Sequence, residues 1–140
     1  MNQSIENLIA DFELLDEWEE RYRHVIELGR DLPDMDVALK NAVTKVSGCA
    51  SQVWIFTKII GAGAARTLEL HGDSDALIVK GLIAIAFLIF APLTLTEIEN
   101  CDASVIFKKL GLQEHLTPQR SNGLASMVAR IKSDARAALA

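Results

Sequence analysis

Apolar residues recur three or four positions apart at Ile5, Leu8, Ile9, Phe12, Leu15, Trp18, Tyr22, Val25 and Ile26. That spacing lays one stripe along a helix. One long helix or two short ones both satisfy it. Gly29 is the expected stop, and Pro33 follows it, so Asp31 to Asp36 reads as a polar turn. The period then shortens. Residues 42–46, Ala-Val-Thr-Lys-Val, are short and rich in β-branched side chains, and they predict a strand. Ser47-Gly48-Cys49-Ala50-Ser51 breaks it with small residues. Val53 to Thr57 is rich in strand formers and apolar on both parities, which predicts a strand covered on both faces. Gly61-Ala62-Gly63 is a turn, and Arg66 to His71 alternates with Leu68 and Leu70 inward. Three strands joined by short loops predict an antiparallel meander.

The pattern returns to helix after Gly72-Asp73-Ser74-Asp75, which supplies N-cap residues and acids for a first turn. Residues 76–90 are apolar nearly all round, as expected of a central helix, and Pro92 ends them. Thr94 and Glu97 have capping-box spacing. Ser104 to Leu110 forms another short helix stopped by Gly111. Thr117 caps the last helix, with Pro118 at its first position. Its stripe is Leu124, Met127, Val128, Ile131, Ala135 and Leu139. Strands and helices come in blocks, so the fold class is α+β, a three-stranded antiparallel sheet packed with helices. No repeat or linker divides the chain, and a single domain over 1–140 is expected.

Charge changes this picture at one end. Residues 1–30 hold eight acids and three bases, which is the whole net charge of −5. The excess is either a solvated helix face or a docking surface for a basic partner. The overall acidity argues against nucleic acid, which needs clustered Lys and Arg. The longest apolar run, Leu82 to Leu93, is shorter than the ~20 residues of a bilayer span. Met1 to Glu6 has no basic start or apolar core, so no secretory leader is expected. A reducing cytoplasm with free thiols is the expected compartment, and no membrane partner is expected.

Most catalytic signatures are missing. His24, His71 and His115 have no metal-ligand spacing with either cysteine, so no metal is expected. Gly61-Ala62-Gly63-Ala64-Ala65-Arg66 leads into a strand and lacks the second half of a dinucleotide fingerprint. Cys101 follows Glu97, Glu99 and Asn100, a setting that disfavours a thiolate and suits structural filling. Cys49 sits between small residues in a break between two strands, where loops on a rigid sheet often carry function. A free cysteine is equally at home as a buried apolar residue. Arg120 falls in the first turn of the last helix, against the helix dipole. There it can meet an anion: a thiolate, a carboxylate of Asp73 or Asp75, or a partner's acid.

Val46-Ser47-Gly48-Cys49-Ala50-Ser51-Gln52-Val53-Trp54 resembles the active-site segment of SufE-like cysteine desulfuration proteins. Gly72 to Leu82 resembles their second signature, and Leu116 to Leu124 their third. The likeness runs from about residue 5 to 135 in the family's order, and only Ala50 departs from it, where a polar residue often sits. The resemblance implies a SufE/IscU-like sandwich. It implies that Cys49 accepts sulfur as a persulfide from a pyridoxal-phosphate cysteine desulfurase of the SufS or CsdA type. The protein would stimulate that enzyme and pass sulfur to an iron–sulfur scaffold. Pyridoxal phosphate would reside on the partner, so no cofactor is expected here, and the chain would be a sulfurtransferase-like partner rather than a stand-alone enzyme.

Supporting roles fall to residues matching the same segments. Arg120 would stabilise the anionic sulfur or bind the partner. Ser51 and Gln52 would donate hydrogen bonds near the loop. Asp75 would hold the Cys49 loop or Arg120, or else compensate the helix dipole. Trp54 is read as core. Monomer and homodimer both remain open. Two other readings are an IscU-like scaffold, for which two cysteines are few, and a cysteine-dependent enzyme, which needs a base for Cys49.

Overall fold

The computed structural model describes residues 4–140; the first three residues of the segment read for a leader lie outside it. The chain runs α1 (Ile5–Glu13), α2 (Trp18–Asp31), β1 (Val53–Ile60), β2 (Thr67–Ser74), α3 (Leu77–Phe90), α4 (Leu95–Asn100), α5 (Ala103–Lys109), α6 (Leu112–His115) and α7 (Pro118–Leu139). It is an α+β fold with helices packed on a small antiparallel sheet.

The N-terminal stripe folds as two helices. The N–H groups of Leu14 and Leu15 fold back onto the Asp11 and Phe12 carbonyls, and the chain turns before Glu17 starts α2. Arg21 fixes that break. Its guanidinium donates to the Phe12 and Leu15 carbonyls at the end of α1 and to the Leu110 carbonyl at the end of α5. One side chain thereby bonds carbonyls at two helix ends.

Gly29 does not stop α2, which continues to Asp31. Its absence of a side chain serves packing instead. A Cβ at Gly29 would stand 2.6 Å from the Leu77 carbonyl oxygen, and one at Gly81 would fall on the Val25 carbonyl. The two helices therefore meet backbone to backbone at these glycines. α3 is the central helix, with Ile78, Leu82, Ile83, Ile85, Ala86, Ile89 and Phe90 buried. Leu8 and Phe12 of α1, Val53 and Ile55 of β1, and Leu124, Met127 and Ile131 of α7 join it in one core.

The sheet has two strands, not three. β1 and β2 pair in register from Val53 opposite Ser74 to Ile60 opposite Thr67. The third strand expected over residues 42–46 shrinks to a single bridge, Lys45 opposite Trp54. Side chains compete with the ladder there. The Asn41 carboxamide oxygen accepts from the Val43 and Thr44 N–H groups, and the Thr44 hydroxyl donates to the Leu39 carbonyl at 2.5 Å. These local bonds hold the segment in a turn. β1 is also covered on one face rather than two. Val53 and Ile55 are buried, while Trp54 and Phe56 are half-buried and Ile59 and Ile60 exposed. In β2, Leu68 is buried and Leu70 half-buried.

The caps divide the same way. Thr94 and Glu97 form the reciprocal capping box, Gly111 turns left-handed after α5, and Thr117 caps α7 ahead of Pro118. Asp73 and Ser74, expected as helix caps, belong instead to β2, which runs to Ser74. α3 starts from Ala76 with no side-chain cap. No described helix is long and apolar enough to cross a membrane.

Candidate functional site

The loop carrying Cys49 is closed at its neck and held at its exit. At the neck, the Val46 N–H donates to the Val53 carbonyl at 2.8 Å, beside the Lys45–Trp54 bridge. At the exit, the Gln52 N–H donates to Asp75 Oδ1 at 3.0 Å, and the Asp75 N–H returns a longer bond of 3.4 Å to the Gln52 carbonyl. Asp75 precedes α3 and its carboxylate is spent on the loop. Gly48 has φ +88°, in the left-handed region that favours glycine. A Cβ there would also stand 2.6 Å from the Ser126 hydroxyl of α7.

A second tie secures the segment before the loop. Asp73 lies opposite Trp54 in the sheet. Its carboxylate pairs with Lys40 at 2.7 Å and Lys80 at 3.5 Å, and the Lys40 ammonium also sits 5.1 Å above the Trp54 ring. Trp54 is thus a half-buried platform rather than core. Burial pushes the Asp73 carboxyl up, but the Lys40 hydrogen bond, the Ser74 N–H and the Lys40 and Lys80 charges together hold it below the usual carboxylate range.

Cys49 faces α7. Its thiol donates to the Gly123 carbonyl across 3.7 Å, and it is half-buried. A Cβ at Gly123 would lie 3.6 Å from the sulfur, an ordinary contact. Burial pushes the Cys49 thiol pKa up, so at neutral pH the sulfur is protonated. Beside it opens a cleft of about 250 Å³. Val79, Leu82 and Met127 form its apolar floor, and Thr117, Gln119 and Arg120 its polar wall. Ala50 and Ser51 complete the loop side.

Cys49, Ser51 and Arg120 therefore share one cleft, while Asp75 and Gln52 lie at the loop's exit. Arg120 is half-buried, and its guanidinium has no ion pair among the described residues. Asp75 bonds the loop and not Arg120. The Gln52 side chain is exposed, and its backbone does the bonding. Sequence reasoning misses Gly123 and Ser126. Gly123 lies within the Leu116–Leu124 segment without a role assigned to it there, and nothing local in the sequence marks Ser126.

Cys101 is different. It ends α4, and its carbonyl accepts from the Lys132 ammonium. Burial raises its thiol pKa, with Asp102 adding to the rise and Lys132 opposing it. No group of three His, Cys, Asp or Glu gathers among the described residues to hold a metal.

Residues 6–135 match the family model described as SufE, the Fe-S metabolism associated domain. An uncharacterized SufE-like protein of Rhizobium meliloti (strain 1021) is 51% identical over 136 residues, 97% of either chain. Another from Rhizobium etli is 47% identical over 133 residues, covering 95% of this chain and 90% of the relative. The solution structure of a hypothetical protein from Thermus thermophilus superposes with a TM-score of 0.76 over 96% of this chain and 95% of that one. At 18% identity that likeness speaks for the fold. With a matching model across nearly its whole length and two such relatives, the chain belongs to the SufE family of iron–sulfur metabolism.

Proposed function

We propose that the protein accepts sulfur at Cys49 from a pyridoxal-phosphate cysteine desulfurase, stimulates that enzyme, and relays the sulfur to iron–sulfur cluster assembly. The observation that carries this reading is the placement of Cys49 on a tethered loop, its sulfur in a cleft that Arg120 also lines. The partner is of the SufS or CsdA type. Its own cysteine carries a persulfide. The Cys49 thiolate attacks the outer sulfur, the donor's S–S bond breaks, and the donor leaves as a thiolate, as in thiol–disulfide exchange. No net oxidant is needed, because the persulfide oxidation level moves with the sulfur.

The resting site is built to hold the sulfur rather than to react. Burial keeps the thiol protonated, and the bond to Gly123 keeps it turned inward. Transfer requires the loop 47–52 to leave α7, with the Asp75–Gln52 bonds as its fixed end. Once exposed, the thiol regains its ordinary acidity, and thiolate becomes available at neutral pH. On return, the persulfide shares the cleft with the Arg120 guanidinium, which opposes its negative charge. Ser51 lines the same space.

The test is intact mass after incubation with a desulfurase of each type and cysteine, without reductant. Wild type and Cys101→Ser gain sulfur that reduction removes, and Cys49→Ser gains none. A wild type that gains none from either competent desulfurase overturns the reading. A stable coloured cluster on iron and sulfide reconstitution would instead favour a scaffold.

A further inference from the structure

The 250 Å³ cleft is smaller than the ~300–1,000 Å³ that drug-sized ligands occupy. It holds a molecule of a few heavy atoms. Its two halves differ in chemistry. The floor of Val79, Leu82 and Met127 suits a short carbon chain or a sulfur atom. The wall offers the Arg120 guanidinium, half-buried and without an ion pair among the described residues. A planar fork of donors in a partly dry cleft is matched best by a carboxylate, which it grips with two parallel hydrogen bonds. Cys49 stands at the same cleft, so a molecule anchored on Arg120 would lie beside its sulfur.

We propose that this cleft is a site for a small persulfide bearing a carboxylate, so that Cys49 takes sulfur from a free low-molecular-weight donor as well as from a protein. The inference rests on Cys49 being a sulfur acceptor. It adds a donor class that needs no docking surface. The carboxylate binds Arg120, the chain lies on the apolar floor, and the terminal sulfur meets Cys49. Cys49 loses its proton to solvent, and its thiolate attacks that terminal sulfur; a new S–S bond forms on Cys49 and the donor's S–S bond breaks. The donor leaves as its thiol, taking up the proton that Cys49 gives to solvent. One persulfide and one thiol enter, one persulfide and one thiol leave, and no oxidant or reductant is consumed.

The experiment compares the persulfide of 3-mercaptopropionate with that of its amide, which has the same length and no charge. Initial rates of sulfur gain are read by intact mass in a Cys101→Ser background, so that Cys49 is the thiol observed. The carboxylate donor reacts about tenfold faster or more, the advantage of a charged over a neutral hydrogen-bonded pair. Arg120→Ala brings the two rates within about twofold, and Arg120→Lys keeps part of the preference. Equal rates for the two small donors in the unmutated cleft, or a preference surviving Arg120→Ala, overturn the proposal. Loading of the same preparation by a desulfurase separates the two readings. If the desulfurase loads Cys49 and the small donors show no preference, the small-donor site alone fails. If nothing loads Cys49, sulfur acceptance fails with it.

Discussion

Gly29 and Gly81 at the α2–α3 crossing and Gly48 and Gly123 at the Cys49 cleft are glycines for opposite reasons. At the crossing, an added Cβ meets main chain on both helices. Backbone cannot step aside as a flexible side chain can, and tightly packed interiors transmit the strain. At the cleft, an added Cβ on Gly123 meets only ordinary contact with Cys49, and one on Gly48 meets the movable Ser126 hydroxyl. The first pair brings two helices together permanently. The second lets a loop rest against a helix without locking to it. The same residue type serves both regions, and the neighbouring atoms decide which way.

The largest effect expected from this contrast is at Gly81. Gly81→Ala gains helix propensity but forces α3 away from Val25, so it destabilises the fold by about 3 kcal/mol. That loss corresponds to a melting temperature lower by roughly 10 °C for a chain of this size. Thermal unfolding checks it. A melting point equal to wild type would mean that the crossing relaxes as freely as the cleft.

Next comes the carboxylate that ties the pre-loop segment to β2. Asp73→Ala leaves Lys40 and Lys80 without their shared partner and costs about 2 kcal/mol. Because the Asp73 pKa is lowered in the folded protein, its contribution is present above the ordinary carboxylate pKa and is lost as pH falls through the folded value. In denaturant titrations from pH 7 down to pH 3 the gap between wild type and Asp73→Ala should therefore narrow once pH falls below the ordinary carboxylate range. A gap that persists unchanged at pH 3 would assign the stability to packing.

Gly48→Ala breaks the loop side of the comparison. The left-handed φ and the Ser126 contact together cost about 1–2 kcal/mol, and the loop can relieve both by lifting from α7. Cys49 then reacts faster with iodoacetamide at neutral pH than in wild type, because burial suppresses its thiolate. In wild type, the same rate should rise with pH through a midpoint above that of free cysteine, because burial raises the folded pKa. Peptide mapping separates Cys49 from Cys101. A wild-type midpoint at or below that of free cysteine would place the resting sulfur in an exposed or cationic setting.

Much of the fold is legible in the sequence because local rules govern it. The Thr94–Glu97 box, the Thr117–Pro118 start and the apolar α3 are each decided within a few residues. The third strand misleads because Val43 and Val46 promise β-structure while Asn41 and Thr44 bond their own backbone instead. Gly29 misleads because a glycine after a periodic run signals a stop, and its packing partner Leu77 is far away in sequence. The cleft is legible only in part. Cys49 and Arg120 stand out by motif, but their meeting depends on how α7 crosses the loop, which no local spacing encodes. Asp75 has three possible partners in the sequence (loop, arginine and dipole), and only its bond to the Gln52 N–H decides among them.

The smallest effect is the most pointed test of the contrast. Gly123 lies inside α7, where glycine costs about 0.5–1 kcal/mol against alanine. The Cβ of Gly123→Ala would sit 3.6 Å from the Cys49 sulfur, an ordinary contact, and the carbonyl that accepts from the thiol stays in place. The variant should therefore be more stable than wild type by about that amount, the reverse of Gly81→Ala in a helix of the same protein. The added methyl also covers part of the sulfur, so Cys49 alkylation slows while that of Cys101 is unchanged. Chemical denaturation and the two alkylation rates, measured on one preparation, check both halves. A destabilised Gly123→Ala would show that the loop and α7 are packed as rigidly as the α2–α3 crossing, and that release of the loop costs more than its few contacts suggest.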